Sequence, residues 1–245
     1  MSEKLQKVLA RAAFGSRREI ETWITQKRIR VNGKIAQIGD RVSVADRIFV
    51  DGKRVNSKRG AERREHRYLL YNKPENEICA KKDPQGRSTV FDRLPPLKHG
   101  RWISVGRLDF NTTGLLLFTT DGDIANQLTH PSSMIEREYA VRVMGSVDSS
   151  MVQNMHDGVE IDGAVYRFTD IQYFGGAGLN RWYHVVVMTG RNREVRKLWE
   201  SQGIKVSRLK RVRFGPIFMP STLKRGQFLE LSKKEVKKLL GSIKI

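Results

Sequence analysis

Between Gly106 and Gly114 the chain reads Gly-Arg-Leu-Asp-Phe-Asn-Thr-Thr-Gly, a polar stretch with one carboxylate, Asp109. It joins two apolar segments of strand-forming composition, Trp102 to Val105 and Leu115 to Thr119. A loop held at both ends by strands and carrying one ionisable group can present a nucleophile or a base. The same residues also suit an Asx turn, in which the carboxylate only accepts local backbone donors, and that is the commoner use of Asp. Spacing alone leaves both readings open.

Other chemistry is thinly represented. The single cysteine, Cys79, excludes an internal disulfide framework and multi-Cys zinc patterns, and with no His nearby it reads as a strand residue. The five histidines form no His-Glu-x-x-His or His-x-His pair, so no metal and no haem is expected. His130-Pro131 marks a helix end, and Gly175-Gly176-Ala177-Gly178, lacking a following Lys-Ser/Thr, reads as a flexible loop.

Charge says more about the partner. The 245 residues carry 46 Lys plus Arg against 26 Asp plus Glu, a net +20, and residues 1–67 hold half of it, with 18 basic and 8 acidic side chains. A polyanion is the expected partner, and Lys4, Lys7, Arg11, Arg17 and Arg18 can share one edge of the first two helices, a stripe suited to an RNA backbone. No apolar stretch approaches a membrane span and the N-terminus lacks a signal-peptide pattern, so a cytoplasmic, membrane-free monomer is expected.

The elements that must hold the loop follow from periodicity. Leu5, Val8, Leu9, Ala12 and Ala13 recur at helical spacing until Phe14-Gly15. Ser16 and Glu19 spell a capping box, followed by the stripe Ile20, Trp23 and Ile24. Asn32-Gly33 and Asp51-Gly52 are hairpin turns. Residues 53–67 hold seven Lys or Arg and one large apolar residue, Val55, too little to bury. The expected division is therefore a domain at 1–55, a basic linker at 56–67 and a second domain at 68–245. In the latter, strands are predicted at 68–71, 102–105, 115–119, 138–143, 182–189 and 228–231. Helices are predicted at 124–129, 149–156, 194–202 and 233–240, the last opened by the capping pair Ser232 and Glu235. Without regular βαβ alternation the fold class is α+β with a mostly antiparallel central sheet.

From Gly106 to Asp123, GRLDFNTTGLLLFTTDGD closely resembles the GRLDxxTxGLLLxTxDG signature of the pseudouridine synthases typified by the small-subunit rRNA enzyme. Ser16-Arg17-Arg18 and Arg30-Val31-Asn32-Gly33 resemble the S4-type RNA-binding domain that precedes the catalytic domain in that family. Gly190 to Gly215 is similar to its third motif, and the wording is nearest the large-subunit synthase B branch. The resemblance covers nearly the whole chain.

It implies isomerisation of one uridine in large-subunit (23S) rRNA, in domain V, without cofactor or metal. The bond to N1 is broken and remade to C5. It also implies that Asp109 is the catalytic carboxylate, acting by covalent attack or by taking a sugar proton. Tyr139, otherwise a half-buried strand tyrosine, stacks on the extruded base and assists the C5 proton transfer. Arg196 is the basic partner that keeps Asp109 ionised against desolvation, although Arg191 and Arg193 lie in the same cluster of nine Lys or Arg between 191 and 213. Arg107 fills the space vacated by the base, a plain surface arginine being the alternative. Arg30, Arg191 and Arg193 join the N-terminal cations as RNA contacts. Asn111, Thr112 and Thr113 shape the loop. The competing classes are a non-catalytic rRNA-binding assembly factor and, on charge alone, a DNA-binding regulator. The chain stops at Lys244-Ile245, whereas some relatives carry a basic tail, so such a tail's affinity is expected to come from elsewhere.

Overall fold

A computed structural model describes residues 2–55, 65–98 and 100–243, so most of the linker expected at 56–67 lies outside the described residues. The chain divides into two compact units, Met1–His66 with Pro96–Arg101, and Arg67–Pro95 with Trp102–Ile245. The short segment before Trp102 therefore groups with the N-terminal residues, which no local sequence signal announces.

The N-terminal unit opens with β1 (Glu3–Lys4), α1 (Leu5–Arg11) and α2 (Arg17–Thr25). Helix α1 ends two residues earlier than its apolar spacing suggests, because Ala12 caps it and Ala13 turns left-handed at φ +67°. The capping box forms, with the Glu19 amide donating to the Ser16 hydroxyl at 3.2 Å and the Ser16 amide donating to the Glu19 carboxylate at 2.6 Å. Strands β2 (Ile29–Val31), β3 (Lys34–Ile35), β4 (Arg41–Val42), β5 (Ile48–Val50) and β6 (Lys53–Val55) follow. A four-stranded sheet runs β3-β2-β5-β6. Its Asn-Gly and Asp-Gly turns have positive φ at both positions, the mirror-image geometry that matches strand twist. Leu5, Leu9, Ile20, Ile29 and Ile48 are fully buried in its core.

The second unit comprises β7 (Tyr68–Lys73), β8 (Ile103–Val105), β9 (Thr113–Thr119), α3 (Gly122–Thr129), β10 (Arg137–Met144), α4 (Ser149–Asp157), β11 (Val159–Ile161) and β12 (Ala164–Tyr166). It continues with β13 (Asp170–Ala177), β14 (Asn180–Val187), α5 (Glu194–Ser201), β15 (Lys205–Phe214), β16 (Ile217–Phe218), β17 (Phe228–Glu230) and α6 (Lys233–Gly241). Its nine-stranded sheet runs β13-β14-β10-β15-β9-β7-β17, with β8 on β9 and β16 on β15. Pairing is antiparallel except for β15 against β9, so the α+β, mostly antiparallel expectation holds. All seven residues of β9 are buried, as its unbroken Leu-Leu-Leu-Phe run requires of a strand covered on both faces.

Three local expectations change. Gly175 to Ala177 end strand β13 rather than forming a loop. Gly176 sits at a bulge where a Cβ would lie 2.3 Å from the Asn180 carbonyl oxygen. Cys79 lies in a bend, not a strand, where its sulfur accepts the Leu108 amide at 3.4 Å. The ten-residue β15, central to the sheet, is absent from the sequence-based strands because its five Lys or Arg break up the apolar alternation.

Candidate active site

The loop from Gly106 to Thr112 connects the antiparallel strands β8 and β9, and its backbone is tied down from behind. Lys73, the last residue of β7, has no exposed surface. Its ammonium donates to the carbonyls of Thr112 and Pro74 at 3.0 Å and of Phe110 at 3.3 Å. The guanidinium of Arg196, on α5, donates to the Asn111 carbonyl at 3.2 Å and to the Val206 carbonyl at 3.2 Å. The Asn76 amide also reaches the Phe110 carbonyl, and the Thr112 amide closes a turn onto the Asp109 carbonyl. The Asp109 carboxylate makes no hydrogen bond or ion pair among the described residues. An Asx turn would have used that carboxylate to satisfy backbone donors. Here other groups hold the backbone and the carboxylate is left bare.

That carboxylate lines a cavity of about 210 Å³. The walls are Arg107, Leu108, Asp109 and Thr112 from the loop, Arg137 and Tyr139 from β10, Leu209 and Arg211 from β15, and Gly190 to Val195 at the start of α5. Residues 137 and 139 share one face of β10 because strand side chains alternate. Tyr139 pairs in register with Arg211 of β15. Five arginines and only two carboxylates, Asp109 and Glu194, line the space. Glu194 is already engaged, accepting from the Thr189 hydroxyl at 2.6 Å and the Arg191 amide at 3.0 Å.

Burial pulls the pKa of the Arg196 guanidinium down, the charge of Arg193 adds to that, and Asp109 opposes it. Burial likewise lowers that of the Lys73 ammonium, with acidic neighbours including Asp109 opposing. Asp109 therefore feels both cations through space, without the direct ion pair expected with Arg196. Burial also lowers the pKa of Arg137, whose Nη1 donates to the carbonyls of Ile135 and Met188 at 2.7 Å each.

The structure brings Asp109, Tyr139, Arg107, Arg191 and Arg193 to one cavity and sets Arg196 just behind its loop. Arg191 donates to the Val165 carbonyl at 2.8 Å and lies over the Tyr166 ring, and Arg193 pairs with Glu200 at 3.1 Å. In the N-terminal unit Lys4, Arg11, Arg17, Arg18 and Arg30 are exposed and Lys7 is half-buried. Lys7 and Arg11 both pair with Glu3, at 3.5 and 2.6 Å, and Arg30 donates to the Gly33 carbonyl.

A family profile described as RNA pseudouridylate synthase matches residues 67–201, more than half of the chain and the whole of this loop. The chain belongs to that family. An S4 domain matches residues 3–48 of this pseudouridylate synthase family member. It is 56% identical over 237 residues to the ribosomal large subunit pseudouridine synthase B of Pseudomonas aeruginosa, covering 96% of this chain and 61% of that protein. With the synthase B of Salmonella typhimurium the identity is 54% over 247 residues, covering all of this chain and 84% of that one. Among solved structures, a pseudouridylate synthase crystal structure matches with a TM-score of 0.67 at 25% identity, over 96% of this chain and 99% of that one.

Three residues of this family member's site escaped sequence reasoning. Arg137 carried a usable signal, since it stands two before Tyr139 and so shares its face. Arg211 was hidden among the nine basic residues of its segment, and nothing local marks Lys73 as the loop's anchor.

Proposed function

We propose that the protein isomerises one uridine of large-subunit rRNA, in domain V, to pseudouridine. Its domains are an S4-type RNA-binding domain at 1–55, a basic tether at 56–67 and a catalytic domain at 68–245. The observation that carries this reading is the bare Asp109 carboxylate in a cation-rich cavity sized for a base rather than for a larger ligand. The steps follow from the groups present. The +20 chain docks on the RNA backbone, with Lys4, Arg17, Arg18 and Arg30 among its exposed contacts. One uridine leaves its stack, and Arg107, exposed on the cavity rim, takes its place. Tyr139 stacks on the uracil while Asp109 acts at the sugar, either by attack on C1′ or by taking the C2′ proton. Arg196 and Lys73 hold the loop so that this carboxylate meets the sugar without reorganisation. C5 then bonds to C1′ as Asp109 leaves C1′ or returns the C2′ proton, and the C5 proton is exchanged for one on N1, with Tyr139 assisting. No step calls for a metal or cofactor. No described helix is long and apolar enough to cross a membrane.

The test is to map carbodiimide-induced reverse-transcription stops in 23S rRNA from cells with and without the protein. One stop in domain V that depends on the protein is expected. Identical maps would contradict the assignment.

A further inference from the structure

We propose that Arg211 is the donor that receives the negative charge of the departing uracil, an inference that rests on the pseudouridine-forming reading of this cavity. Arg211 is only 2% exposed, yet its Nη2 has no hydrogen-bond partner among the described residues. The guanidinium is fixed by its Nε, which donates to the Leu115 carbonyl at 2.7 Å, and by the Phe214 ring 5.4 Å away. It lines the same cavity as Asp109 and Tyr139. A buried charge with an unused donor is costly in the free protein and is retained where an incoming group completes it.

The other lining cations are differently placed. Arg137 gives its Nη1 to two carbonyls, Arg191 and Arg193 are exposed and engaged with Val165 and Glu200, and Arg107 is exposed. A backbone phosphate stays on the polymer, where the exposed arginines can meet it. The part of an extruded nucleotide that travels deepest is the base.

The chemistry supplies the charge. When the C1′–N1 bond breaks, its electron pair goes to the base, and the uracil becomes an anion spread over N1, O2 and O4. Asp109 balances the sugar by bonding to C1′ or by taking the C2′ proton. C5 then bonds to C1′ as the Asp109–C1′ bond breaks, or as Asp109 returns its proton to C2′, which makes the base neutral. The C5 proton leaves and N1 takes one up, so neutrality is kept. Arg211 stays charged throughout and exchanges no proton. It is already oriented where charge develops, which is the arrangement that lowers a barrier most.

The experiment compares Arg211→Met and Arg211→Lys with the unaltered full-length enzyme, on rRNA transcripts made with uridine or with 5-fluorouridine. Single-turnover formation of the rearranged nucleoside is read by mass spectrometry. Fluorine acidifies the base, so a fluorinated leaving group needs less help. The expected result is a loss of about 10²- to 10³-fold on uridine for the Met variant, and a loss at least about tenfold smaller on 5-fluorouridine. RNA affinity should be unchanged. The Lys variant, which keeps the charge in the same pocket, should show the same ordering with smaller losses, and it carries the comparison if the Met variant does not fold. Equal losses on the two substrates, as a structural or phosphate-binding role would give, overturn the proposal, as does no loss. If the unaltered enzyme converts neither substrate, the reading of the cavity as pseudouridine-forming is what fails.

Discussion

Gly114, at the start of β9, lies so close to Arg211 on β15 that a Cβ on Gly114 would sit 2.3 Å from the Arg211 carbonyl oxygen. This is the parallel junction of the sheet, and it sets the Asp109 loop beside the cation-bearing strand. Gly114 also has φ +101°, a conformation that strains any other residue.

Gly114→Ala is therefore expected to push β9 and β15 apart. A destabilisation of about 3 kcal/mol or more follows from the combined strain and clash, seen as a lower midpoint in thermal unfolding. Activity should fall with it. An unchanged midpoint would show that the two strands separate at no cost.

Lys73 gives a second prediction. Removing its ammonium takes a buried donor from the carbonyls of Thr112, Pro74 and Phe110, of which Phe110 keeps the Asn76 amide, at about 1–3 kcal/mol for an unsatisfied group. Lys73→Met should lower stability and, because the Asp109 loop loosens, reduce kcat by about 10²-fold while RNA affinity stays constant. Equal changes in kcat and affinity would contradict a role confined to the loop.

How much of this was legible in the sequence depends on the range of the interaction. Capping boxes, Asn-Gly turns and the Leu-Leu-Leu-Phe strand are local, so Ser16, Asn32 and Leu115 to Phe118 announced their elements. The family signature pointed to Asp109, but its bare carboxylate could not be read, since the donors that free it come from Lys73 and Arg196, 36 residues before and 87 after. Strand β15 was obscured because Arg211 carries charge at an inward-facing position, where alternation calls for an apolar residue.

On β10, beside Tyr139, Glu138 accepts from the His184 ring and from Arg213, each at 2.7 Å. Burial acts to raise its pKa, but the hydrogen bonds to His184 and Arg213 and the Arg213 charge outweigh it, and the net shift is below the ordinary 4.5. The unfolded chain then binds this proton more readily than the folded one. The stability Glu138 supplies is complete above about pH 4.5 and drains as pH falls through the folded pKa. Glu138→Gln should destabilise the protein at pH 7, and the gap between the two urea-unfolding free energies should close as the pH drops below 4.5. A gap independent of pH would contradict the network.

For the N-terminal unit, Arg18 is exposed and its side chain makes no hydrogen bond or ion pair with the described residues, whereas Arg11 is bound to Glu3 by two hydrogen bonds of 3.1 and 2.6 Å. Arg18→Ala should weaken rRNA binding evenly across sequences and reduce the slope of log affinity against log salt by about 1. Arg11→Ala should change it less. Filter binding at matched salt measures both, and an Arg18 variant with an unaltered slope would remove it from the RNA contacts.

Release of tritium from 5-tritiated uridine in large-subunit rRNA measures most directly whether Asp109 does the chemistry. The unaltered protein should release it. Asp109→Asn should bind the same RNA with the same affinity and release at least about 10³-fold less. Release by the Asn variant within a few-fold of the unaltered protein, or none from either, would contradict the account.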